Sequence, residues 1–121
     1  MKVKKCNIDV YEFEIVLVDI EKDDSENCMI PLMRKYNRDE DEIEQMQNLI
    51  KTKAKGGGIT YVKDRLSNIL IVIFPCRNEK ERLGLLVHEI HHAKSHISLV
   101  CDLDSEEADA YLMQCIFKKI Y

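Results

Sequence analysis

His88-Glu89-Ile90-His91-His92 decides how this chain is read, because it spells H-E-x-x-H inside a run with helical periodicity. Residues four apart stand one above the other on a single helix face, so His88 and His92 present two imidazoles to one point in space. A Zn²⁺ ion about 2.0–2.1 Å from each ring nitrogen fits between them. Glu89 projects from the same side, close enough to polarise a water there and collect its proton. The plainer explanation is a solvated helix face that happens to carry three histidines. The spacing and the helix around it favour a metal pair.

The surrounding sequence supports that helix. Asn78 can cap it, with Glu81 three residues on, and the pattern runs to about Ser98. Leu83, Leu86, Val87, Ile90, Ala93 and Ile97 form its expected buried side, with His88, Glu89, His92 and His96 on the other. Upstream, Pro75 closes a strongly β-branched strand over residues 67–74, and a shorter strand candidate covers residues 59–63. Asp64-Arg65-Leu66 between them looks like a hairpin connection. Gly56-Gly57-Gly58 has no phosphate-loop context and reads as a helix stop and flexible connector. Before it, residues 39–55 form a helix that Asp39 can cap, with Ile43, Met46, Leu49 and Ile50 at helical spacing. Residues 29–36 read as a short irregular or helical link after a polar loop over 21–27. Residues 7–20 suggest one strand whose second half is buried on both faces. After the motif come a turn at Cys101-Asp102-Leu103 and a last helix over 105–120, burying Ala108, Tyr111, Leu112, Cys115, Ile116 and Ile120. The expected fold class is α+β: one domain over residues 1–121, a small twisted sheet packed beside the motif helix and a C-terminal helix.

Bulk composition narrows the function. At 121 residues, 45% hydrophobic and 33% charged, the chain reads as one soluble globular domain. A net charge of −4 with scattered Lys and Arg argues against a nucleic-acid partner. No apolar stretch fits a signal peptide or membrane span, so no membrane partner is expected. The cysteines, Cys6, Cys28, Cys76, Cys101 and Cys115, are odd in number and form no C-x-x-C pair. That argues against a disulfide scaffold and for a reducing, cytoplasmic setting.

A catalytic zinc takes three protein ligands and keeps one position open. The metzincin extension would need Gly and His where this chain has Ser95 and Ser98, which excludes that class. His96 lies about 12 Å along the axis from His88, too far to share one ion. It is either a rim residue or a solvent-facing histidine, and His91 points to the surface. The carboxylates of Asp102-Leu103-Asp104-Ser105-Glu106-Glu107 remain as the source of a third ligand, although Asp104-x-x-Glu107 is equally a capping-box pattern.

His88-Glu89-x-x-His92 followed by Glu107-x-x-Ala110 is similar to the gluzincin arrangement. More closely, Leu86-Val87-His88-Glu89-Ile90-His91-His92-Ala93 with Ser105-Glu106-Glu107-Ala108-Asp109-Ala110-Tyr111-Leu112 resembles short phage-encoded zinc metallopeptidases. The resemblance covers the C-terminal two-thirds and implies a minimal zincin-like domain. It also implies Glu107 as third ligand, with Glu106 as the alternative. Many gluzincins carry Asp four residues after that Glu, where this chain has Tyr111; matching Ala108-Asp109 to the usual Ala-Asp would instead put Ser105 at the ligand position. The expectation is a zinc-dependent metallohydrolase acting on a peptide or protein, with Glu89 as general base. A zincin-shaped module that binds a host or phage partner without catalysis is the alternative.

Overall fold

The computed structural model describes residues 1–24, 26–63 and 67–121. The connection expected at Asp64-Arg65-Leu66 lies outside the described residues. The described residues form four strands, β1 (Lys2–Ile8), β2 (Phe13–Asp19), β3 (Gly58–Tyr61) and β4 (Asn68–Ile73). The four helices are α1 (Glu26–Lys35), α2 (Glu40–Lys51), α3 (Glu79–Val100) and α4 (Glu106–Ile120).

The strands join one mixed sheet in the order β1-β2-β4-β3. β1 and β2 pair antiparallel, β3 and β4 pair antiparallel, and the central β2–β4 pair is parallel, with Glu14 opposite Asn68 and Asp19 opposite Ile73. Helices cover both faces. This explains the unbroken apolar runs of β2 and β4, since alternate residues enter two different cores. Ile15, Leu17, Ile69, Ile71 and Ile73 pack with Leu86, Ile90, Ala93 and Ile97 of α3 and Leu112, Ile116 and Ile120 of α4. Val16, Val18, Leu70 and Val72 meet Met29 and Met33 of α1 and Ile43 and Met46 of α2. Each fully buried aliphatic side chain is worth about 1.5–3 kcal/mol of transfer free energy.

Two local readings need correction, and one open reading is resolved. Residues 7–20 are not one strand: a 3₁₀ turn at Asp9–Tyr11 closes through Glu12, whose left-handed backbone (φ 57) lets its N–H donate to the Asp9 carbonyl at 3.2 Å. The chain therefore doubles back, and the lysine-rich start becomes edge strand β1. Residues 29–35, open on sequence alone between an irregular and a helical link, are helical: they belong to α1, which holds Pro31 within it and buries Met29 and Met33 completely. Val87 and Tyr111, expected in the core, are 40% and 63% exposed, because α3 and α4 pack through narrower stripes. Other expectations hold. Asp39 and Glu42 form the complete capping box of α2, and Asn78 caps α3 by accepting from the Glu81 N–H at 2.8 Å. Among the described residues no helix is long and apolar enough to cross a membrane, and no disulfide forms.

Candidate metal centre

The α3 helix is aimed by its ends. At its start Arg82 grips Asp19 at the end of β2 with two parallel bonds, Nε–Oδ1 at 2.7 Å and Nη2–Oδ2 at 2.9 Å. Farther along, Lys94 and Ser98 both donate to Asp109 of α4, at 2.7 and 2.6 Å. Between these anchors α3 lies against β3, the free-edge strand at the end of the sheet.

His88, Glu89 and His92 come together there. The two Nε2 atoms are 3.1 Å apart, and the rings meet nearly at right angles with centroids 4.7 Å apart. Two Zn–N bonds of ~2.05 Å at a tetrahedral angle would separate their nitrogens by roughly 3.3 Å, so the pair already has the bite of a metal chelate. One ligand atom from each of the three residues lies within 4.8 Å of the others. The group can hold a metal ion. Both imidazoles are exposed to an open groove of about 460 Å³, whereas Glu89 is 4% exposed.

Glu89 makes no ion pair among the described residues. A buried carboxylate without a countercharge is costly, and a cation held by the adjacent imidazoles would offset that cost. The donor set therefore fits a divalent metal. Among the described residues the carboxylate hydrogen-bonds Thr60 of β3, whose Oγ1 lies 2.9 Å from Oε2 and 3.2 Å from the Glu89 carbonyl oxygen. Gly58, two residues earlier on the same strand face, lets the strand come close. A Cβ there would stand 2.9 Å from Glu89 Cγ and 3.1 Å from the Val72 carbonyl oxygen.

Glu107 is not part of this group. Ser105, not Asp104, caps α4 by accepting from the Ala108 N–H, and both Glu106 and Glu107 are exposed in the first turn. The acid that α4 presents to α3 is Asp109. Glu107, two residues earlier, points roughly 200° around the helix from it. Lys94 and then Ser98 hold the Asp109 carboxyl below its usual pKa. His96 is neither rim nor solvent-facing: it is 8% exposed, edge-on to Phe13 with centroids 5.9 Å apart, and its Nε2 has no partner among the described residues. His91 is exposed, as expected.

Reading the sequence missed Thr60 and Gly58. The available signal was the alternation Gly58-Ile59-Thr60-Tyr61, which puts Gly58 and Thr60 on one face of the strand preceding the motif helix. Compared with protein-family models, curated proteins and solved structures, the chain matches none. The likeness to gluzincin sequences therefore rests on the residues of α3 and α4 alone.

Proposed function

We propose that this protein is a zinc-dependent metallohydrolase cleaving peptide bonds, with His88 and His92 holding the metal and Glu89 as general base; Glu107, the downstream glutamate of the gluzincin pattern, stands outside the cluster. The observation that carries the reading is the 3.1 Å imidazole pair with a buried, uncompensated carboxylate beside it. A bound zinc ion supplies Lewis-acid activation of water and of the substrate carbonyl. The chain's own residues supply the rest. Glu89 takes the water proton on a carboxylate oxygen and delivers it to the leaving amine. The free edge of β3 borders the groove, so an extended peptide can add to it as a further strand, with its backbone fixed by main-chain hydrogen bonds.

A second reading is a metal-holding module without hydrolysis. It is favoured by one observation: among the described residues no donor besides Glu89 joins the two imidazoles, and a Glu89 used as a ligand is no longer a base. Glu89→Gln separates the readings, since it keeps size and hydrogen bonding while removing the base. Zinc-loaded protein is incubated with an unbiased peptide library and products are read by mass spectrometry. Wild type is expected to cleave, and the Gln variant to cleave roughly 10²–10⁴-fold more slowly with zinc content unchanged. Equal rates would overturn the proposed role of Glu89, and no cleavage by zinc-loaded wild type would leave the module reading.

A further inference from the structure

We infer that Thr60 is the positioning residue for Glu89, keeping its carboxylate as a base and out of the metal's coordination shell; this rests on the metallohydrolase reading. Glu89 follows His88 directly, and one of its carboxylate oxygens lies within 4.8 Å of the ring nitrogens of His88 and His92. A carboxylate that near a two-imidazole site is a competing ligand, because zinc accepts Asp and Glu oxygens readily. Used as a ligand, it is lost as a base.

Two features of β3 decide between these fates. Thr60 Oγ1 has a single hydrogen and two acceptors in range, Glu89 Oε2 at 2.9 Å and the Glu89 carbonyl at 3.2 Å. The charged oxygen is both nearer and the stronger acceptor, so the hydroxyl donates to Oε2 and leaves Oε1 to handle the proton. Gly58 gives the Glu89 stem its place, since any side chain there would collide with Cγ. The carboxylate is thus pinned from the strand side, while the imidazoles approach from the groove side. Thr60 touches neither metal nor substrate in this arrangement. It acts through Glu89 alone.

This makes a prediction of opposite signs that a merely structural role does not share. Thr60→Val keeps the β-branched shape and removes the hydroxyl. The released carboxylate then turns to the cation, so zinc binding, measured by chelator competition, tightens several-fold or more. The visible spectrum of the cobalt(II)-substituted protein changes as a carboxylate joins the metal. Thr60→Ser restores both to wild-type behaviour. Adding Glu89→Gln to Thr60→Val abolishes the gain, because an amide is a poor zinc ligand. With a cleavable peptide, Thr60→Val is expected to lower kcat by roughly 10–100-fold with KM held, the usual cost of losing a partner that orients a site residue. Circular dichroism confirms that the variants fold. Unchanged zinc affinity and cobalt spectrum in Thr60→Val would overturn the inference, as would weaker zinc binding in a folded variant. Failure of the wild type to bind zinc at all would instead remove the metallohydrolase reading on which it rests.

Discussion

Replacing either His88 or His92 with alanine leaves one imidazole facing the groove, and a single protein ligand does not hold zinc against water at neutral pH. The wild type is expected to take up roughly one zinc per chain and both variants to lose it, as read by equilibrium dialysis with metal analysis. Stoichiometric zinc in the double variant would rule out the site. Glu107→Ala is expected to behave differently and to keep wild-type zinc affinity, because that side chain stands outside the cluster. A loss comparable to the histidine variants would show that the first turn of α4 reaches the metal after all. The contrast also marks what one sequence can reveal. The imidazole pair was legible because i, i+4 geometry belongs to any helix. Thr60 was not, since its contact with Glu89 spans 29 residues and depends on which strand the helix lies against.

The clamp between α3 and α4 is a single carboxylate, Asp109, bonded to Lys94 and Ser98. Its folded pKa lies below the ordinary value, so the folded chain binds that proton more weakly than the unfolded one. The stabilisation is complete above the ordinary Asp range near ~4 and is lost as pH falls through the depressed folded value. Urea unfolding should therefore separate wild type from Asp109→Asn at neutral pH, with the two converging in acid. A gap independent of pH would mean that the amide loses packing and not charge. The elements themselves were unevenly legible. α2 and α3 declared their caps at Asp39 and Asn78, and β4 its β-branched run. β1 was missed because Lys2, Lys4 and Lys5 sit on an edge strand, where charge guards against unwanted pairing and hides the apolar alternation. α1 was obscured by Pro31.

Across the whole molecule, the parallel pairing of β2 with β4 was the least legible feature. Nothing local in residues 13–19 names a partner more than fifty positions away. The same distance that hid this pairing governs how the molecule comes together. Among the described residues β4 is the last strand yet occupies a central place, and β3 is hydrogen-bonded to β4 alone. The β1–β2 and β3–β4 pairs can each close early, but joining them through β2 and β4 must wait for a long loop to be drawn shut. Thr60 meets Glu89 when α3 settles on β3, and that contact gains its full support once β4 is inserted beside β2. In refolding experiments, competence to bind zinc tightly is expected to arise with the slowest tertiary phase, and Ile71→Val on β4 should slow that phase and the gain of zinc competence together. Zinc competence ahead of the sheet signal would contradict this order. For a protein proposed to cut peptides, such an assembly order would act as a timer: the groove gains its full support only once the sheet has closed and the chain's own backbone is out of reach.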